Sequence, residues 1–259
     1  MTSQFHIRSL LPAHLGAAFI VASFCFGVTR AETVAAKVSL ADGFDLRRRS
    51  ELTGKLRAIT GWSDLHFDDQ GRLQLGQNAS SSGSASARVL LAKAVSSHDH
   101  IVLEDASSRN DVVFCQVVRQ FSKSEEQGTP TVIRSVRIDF DDFEQLMGDA
   151  MARQAFDVAW GLLHELDHVV NRSRDAEGLG GPGSCETNIN AMRRELGLPE
   201  RVDYFYTVFP SVADDFKSRF VRLAFERSIA PGKKKRYWIL WDAALVGENS
   251  EHRQIASVK

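Results

Sequence analysis

The chain has 259 residues, 43% hydrophobic and 25% charged, a balance that excludes disordered and collagen-like classes and provides for a buried core. Its 32 basic and 33 acidic residues leave a net charge of -1, so bulk electrostatics gives no reason to bind nucleic acid. Three cysteines exclude a disulfide-built scaffold.

Residues 1–31 carry Arg8 and Arg30 and no acidic side chain. Leu10, Leu11 and the stretch from Leu15 to Val28, apolar apart from Ser23, follow the first charge. That order reads as a secretory signal, with cleavage after Ala31 or Ala36. The apolar run is short of the roughly 20 residues of a membrane span, and an uncleaved signal anchor is the alternative. Cys25 follows Phe24 where a lipoprotein signal has a small residue, so no lipid anchor and no stable membrane anchor are expected. The expected location is secreted or periplasmic. Cys115 and Cys185 remain after export, either paired or as separate buried thiols.

The mature chain, 32–259, reads as a single α+β domain. Residues 44–60 have apolar spacing near the helical period. Leu65–Leu75 predicts a hairpin turning at Asp68–Gly71, and 78–86 is a Ser/Gly/Ala loop. Ala87–Val95 is a short helix. Ile101–Glu104 and Val112–Arg119 are strands, and Thr131–Phe140 alternates as a half-buried strand should. A long helical segment then runs from Phe143 to Val170, with a break near Gly148. After the Gly178–Gly183 breaker, Ser184 opens a helix to about Leu196, stopped by Gly197 and Pro199. Phe216–Ile229 is expected to be helical and Tyr237–Trp241 a strand. The regions are thus mostly sheet over 37–150, helices over 151–200, and a helix and a strand over 201–259.

Residues 164–168 read His-Glu-Leu-Asp-His. Four residues apart on a helix is one face, so His164 and His168 can offer two nitrogens to one zinc ion, and Glu165 can reach a water on it. The flanks include Phe156, Trp160, Leu162, Leu163, Leu166, Val169 and Val170, a density that predicts a buried helix. Unpaired polar groups in such a helix are costly, and a cation would supply their partner. A third ligand is expected at Glu186, at the start of the next helix, with Glu177 as competitor and Asp175 less favoured. Asn190, one turn beyond Glu186, is placed to hydrogen-bond a ligand.

Residues 155–200 resemble the zincin metallopeptidases, most closely the gluzincin branch, in which a second helix carries a glutamate. The resemblance covers roughly 45 residues and rests on short motifs. It implies a zincin-like fold, a small mixed or antiparallel sheet on a buried active-site helix. It implies Zn2+ held by His164, His168 and Glu186, with Glu165 as general base, and a peptide or protein substrate. Asn190 stands where many gluzincins have aspartate. The elongated metzincin pattern fails, with Asn171 for its glycine and Arg174 at its third-ligand place. Tyr204 and Tyr206 are the candidates for stabilising the oxyanion. Val132–Phe140 takes the place of the family's substrate-binding edge strand. A zinc-binding module without hydrolysis, favoured by a fourth ligand such as Cys185, and a domain without metal are the alternatives.

His98 and His100 would face one side of an extended segment, but no third ligand lies nearby, so a solvated loop is expected. The basic runs Arg47–Arg49 and Lys233–Arg236 are short and read as solvated turns. Tyr237, Trp238 and Trp241 read as core rather than as a ligand platform.

Overall fold

The computed structural model describes residues 37–107, 109–122, 131–177, 181–203, 207–210 and 219–247. The expected export segment, Tyr204 and Tyr206 lie outside the described residues. No helix among the described residues is long and apolar enough to cross a membrane.

The first half of the chain runs β1 (Val38–Leu40), α1 (Leu46–Thr60), the hairpin β2 (His66–Phe67) and β3 (Leu73–Gln74), α2 (Ala85–Val95), β4 (His100–Asp105), β5 (Cys115–Ser122) and β6 (Thr131–Ile138). The second half runs α3 (Phe140–Glu144), β7 (Met147–Gly148), α4 (Ala150–Gln154), α5 (Val158–Asn171), α6 (Ser184–Glu195), β8 (Glu200–Arg201), β9 (Thr207–Pro210), β10 (Arg219–Ala230) and β11 (Lys233–Asp242). The class is α+β.

The first sheet has the order β1-β4-β6-β5. The β1, β4 and β6 strands are parallel, and β5 is antiparallel to β6. Period-2 burial along β6 puts Val136 and Ile138 against the helices, opposite Val117 and Cys115 of β5. The strand expected at the sheet edge is therefore an inner one. Both sides of β6 are consumed by ladder hydrogen bonds, and the edge next to α5 is β5.

The α5 helix crosses this sheet with Val158, Ala159, Trp160, Leu162, Leu163 and Leu166 buried. Asp157 caps its N-terminus, accepting from Ala159 and Trp160 N–H at 3.0 and 3.3 Å. Gly161 lets the helix lie close to β5: a Cβ there would stand 2.8 Å from both Cys115 Sγ and Phe143.

The long helix expected over Phe143–Val170 is instead α3, β7, α4 and α5. Met147–Gly148 leaves the helical path to pair with β11, and Asp149 exchanges 2.8 Å hydrogen bonds with the Trp238 backbone. Gly148 sits at φ 104°, and a side chain there would collide with the Trp238 carbonyl.

The second sheet is antiparallel, in the order β7-β11-β10-β8, with β9 also paired to β10. The helix expected over Phe216–Ile229 is the strand β10 within the described residues. Val221, Leu223 and Phe225 face inward opposite Trp241, Ile239 and Tyr237. Pro231-Gly232, with Gly232 at φ 71°, turns the chain between these two strands. Tyr237 and Trp241 are core, as expected, but Trp238 faces the other side of β11, half-buried under the Arg222 and Arg236 guanidinium groups. Lys234 and Arg236 project from this hairpin and pair with Glu226.

Neither basic run is a turn: Lys233–Arg236 is the exposed start of β11. Arg47–Arg49 lies in α1, and Arg48 is buried, ion-paired with Asp141 and Glu144 and stacked over Phe140. Both Cys115 and Cys185 are free thiols, so the pairing reading does not hold.

Asp139 caps α3 by accepting from Asp142 N–H at 3.0 Å. Burial pushes its carboxyl up to about 6, with the Asp142 and Asp141 charges adding to the rise. A folded pKa above the ordinary 3.8 means the stability linked to this group is complete below about pH 4 and is lost as pH rises through about 6. Asp139→Asn keeps a cap acceptor without the charge. It is expected to raise the thermal midpoint at pH 7 relative to wild type and to leave the midpoint at pH 4 nearly unchanged. Calorimetry at the two pH values checks this.

Candidate metal centre

His164 and His168 stand one turn apart on α5, with ring centroids 4.7 Å apart and planes at 84°. The helix ends at Arg172, which adopts the left-handed conformation at φ 53° and turns the chain back across the same face. The turn brings the Ser173 carbonyl to 2.9 Å from His168 Nδ1. A carbonyl only accepts, so Nδ1 carries the proton and Nε2 is the nitrogen left to face outward.

Two residues further on, Asp175 Oδ1 lies 3.1 Å from His164 Nε2 and 3.3 Å from His168 Nε2. Cys185, in the first turn of α6, is buried and donates from Sγ to the His164 carbonyl at 3.4 Å. One donor atom from each of His164, His168, Asp175 and Cys185 lies within 4.8 Å of the others. This is the cluster of potential metal ligands found among the described residues, and His98 and His100 are not part of it. His100 instead contacts Lys37 Nζ at 3.1 Å, and His98 is exposed.

The Asp175 loop is fastened to α6. Arg174 N–H donates to Ser184 Oγ at 2.8 Å, and Cys185 N–H donates to the Arg174 carbonyl at 3.1 Å. Gly183 makes that approach feasible, because a Cβ there would stand 2.3 Å from the Arg174 oxygen. The Asp175 carboxylate and the Cys185 sulfur are thereby delivered together.

Glu186 is not brought into the cluster. Its side chain is 1% exposed and ion-pairs with Arg193, and with Arg201 at 3.2 Å. Its nearer approach to the histidines is 3.8 Å, to Nδ1 of His164, the nitrogen turned away from Asp175. Burial raises its carboxyl, but Arg193, Arg201 and His164 outweigh that and hold it below the ordinary glutamate range. It lies behind His164, and the carboxylate oxygen that reaches both histidines is that of Asp175. Glu177 is exposed and ion-pairs with Arg174 at 3.6 Å. Asn190 serves Arg201 rather than a ligand: it accepts from Arg201 N–H and donates to the Arg201 carbonyl, both at 2.8 Å.

Glu165 is buried beside the cluster, on the side of α5 that packs toward β5. Burial pushes its carboxyl up, while the neighbouring imidazoles pull it down. His164 and Glu165 also line a cavity of about 340 Å³ walled by Phe114, Phe156, Trp160 and Trp241. In the metal-free chain, burial depresses the His164 imidazole, but hydrogen bonds to Asp175 and Cys185 raise it to about 9. The Asp175 hydrogen bond is the main cause that raises His168 to about 11. A cation entering the site must displace those protons, so its apparent affinity increases with pH.

The donor set fits zinc: two imidazoles, one carboxylate and one thiol are all zinc ligand types. The carboxylate that the structure brings to both histidines is Asp175, which the sequence reading placed below Glu186 and Glu177. Its position depends on a left-handed arginine that no spacing rule anticipates, since such a turn is ordinarily signalled by glycine or asparagine. No protein family model, no curated protein and no solved structure matches the chain.

Two substitutions separate these carboxylates. Glu186→Ala leaves Arg193 buried without its partner and is expected to cost about 3–5 kcal/mol of stability. Asp175→Ala removes a half-exposed side chain and is expected to weaken zinc binding at least tenfold while shifting the unfolding midpoint little. Denaturant melts and competitive zinc titration of both variants check the pair. Equal zinc affinity in Asp175→Ala and wild type would remove Asp175 from the ligand set.

Proposed function

We propose that this chain is an exported zinc-dependent peptidase of zincin type, with His164, His168 and Asp175 holding the metal and Glu165 acting as general base. One observation carries the reading. The two Nε2 atoms converge on one carboxylate oxygen, with a buried glutamate beside them at the outer edge of a sheet.

Bound zinc would supply a Lewis acid for a carbonyl and a water acidified to a pKa near 7. The chain's own groups supply the rest. Glu165, buried beside the histidines, would take a proton from the water and return it to a leaving amine. Glu186 keeps a negative charge on the Nδ1 side of His164, and the Ser173 carbonyl does the same for His168 with a hydrogen bond. An extended peptide could add to the open edge of β5, beside Glu165. The aromatic cavity next to Glu165 is suited to an apolar side chain of that peptide.

A second reading, a zinc-binding module without hydrolysis, has Cys185 in its favour, because four protein ligands mark a closed site.

Zinc per chain, measured on protein purified without chelator or metal-affinity resin, is expected to be near one. Glu165→Gln is expected to keep that zinc and to lose about 100- to 10,000-fold in cleavage of a mixed-sequence peptide library. No zinc after loading and dialysis would sink both readings. Zinc with no cleavage by wild type would favour the module.

A further inference from the structure

We infer that Cys185 is a fourth metal ligand and that its thiolate closes the site in the resting chain, so that hydrolysis requires the sulfur to leave the metal. The inference rests on the zinc reading of the cluster and goes beyond it by assigning the coordination position that a substrate or water would need.

Three observations carry it. The Cys185 sulfur belongs to the same four-atom constellation as the histidine nitrogens and the Asp175 oxygen, all within 4.8 Å of one another. Two ligands about 2.0–2.3 Å from a tetrahedral zinc lie roughly 3.3–3.8 Å apart, so the wider pairs of this constellation need to close by about 1 Å to share one ion. The sulfur is also fixed by the fold. Its own backbone N–H is tied to the Arg174 carbonyl, so Cys185 and Asp175 cannot approach the histidines independently. Finally, the sulfur lies against α5 at the first histidine: Cys185 is buried, and its thiol donates to the His164 carbonyl at 3.4 Å.

The arrangement has a chemical consequence. His164, His168, Asp175 and Cys185 together would leave a zinc ion no open position for a water within reach of Glu165. Binding through sulfur would release the thiol proton to solvent, and departure of the sulfur would return a proton from solvent to the thiolate. The oxidation state of sulfur and metal is unchanged throughout. A soft sulfur in the set also selects zinc over magnesium, calcium and manganese.

The test uses cobalt(II) in place of zinc in the full mature chain. Wild type is expected to show an intense thiolate-to-cobalt charge-transfer band in the near ultraviolet and visible bands of a tetrahedral ion. Cys185→Ala is expected to bind cobalt, to lack the charge-transfer band, and, when loaded with zinc, to cleave peptides faster than wild type. Cys185→Ser serves the same purpose if the alanine variant is poorly folded. Cobalt bound to wild type without the charge-transfer band overturns the inference and leaves the three-ligand peptidase reading standing. A Cys185→Ala variant whose cobalt spectrum matches wild type overturns it as well. A variant that loses the band and hydrolyses more slowly than wild type removes the closing role. Failure of wild type to bind cobalt or zinc at all removes the metal reading itself.

Discussion

The buried Glu186 carboxylate, held between Arg193 and Arg201, is the constraint on which the site geometry depends. Arg193 lies wholly inside the protein. It donates from Nε to the Ala155 carbonyl at 2.8 Å and stacks over Trp160 and Phe225 at 5.2 and 5.6 Å. Arg201 begins the chain's return into the second sheet, where Phe225 pairs with it. One ion-pair group therefore ties α6 to the entry of α5 and to the second sheet. Taking three charges out of water is expensive, and an apolar trio of similar volume could be equally stable. What the charges provide is direction: α6 satisfies them in one rotation and one register. With α6 fixed, its first turn fixes Cys185, and through Arg174 it fixes Asp175.

The polar residues of α5 sort by how completely the protein satisfies them. Asp167 accepts from Asn171 at 2.6 Å and from Asn188 of α6 at 3.0 Å, so it is a cross-helix tie. His168 donates from Nδ1 to the Ser173 carbonyl. Two Nε2 atoms, a carboxylate oxygen and a thiol converge on one region, whereas an ordinary polar stripe on a surface helix would face water in several directions. That convergence is what favours the proposed metal reading over a structural histidine pair.

Where the sequence was legible, one physical signal dominated. Alternation in 131–140 identified β6, the Asp68–Gly71 turn identified the β2–β3 hairpin, and four-residue histidine spacing on an apolar helix identified the face of the site. It failed where two signals competed. Residues 220–225 carry apolar side chains dense enough for a helical face, and only the Pro231-Gly232 turn with a matching strand beyond it marks them as β10. It failed again where a contact distant in sequence decided the outcome. Pairing of Gly148 with β11 broke the long helix, and two arginines 7 and 15 residues beyond Glu186 claimed its carboxylate. Glycine-rich loops announce a reversal but not its geometry, so Asp175 ranked below a glutamate that had the better helical position.

The cavity beside Glu165 is built by the same competition between local strain and distant contact. Phe114 holds a left-handed φ of 57°, which a bulky residue adopts only when its surroundings impose it. Its N–H is bound by Asp142 at 2.8 Å and its carbonyl by Asp139 N–H at 2.8 Å, so the start of α3 clamps both sides of the residue. The ring is thereby delivered into contact with Phe143, Phe156 and Trp241 at 5.1–5.4 Å. These rings line the space next to Glu165 and withdraw it from solvent. A carboxylate there is harder to ionise than one in water. The strained phenylalanine and the acidic cap of a five-residue helix thus act on the chemistry of α5 without touching the donor atoms.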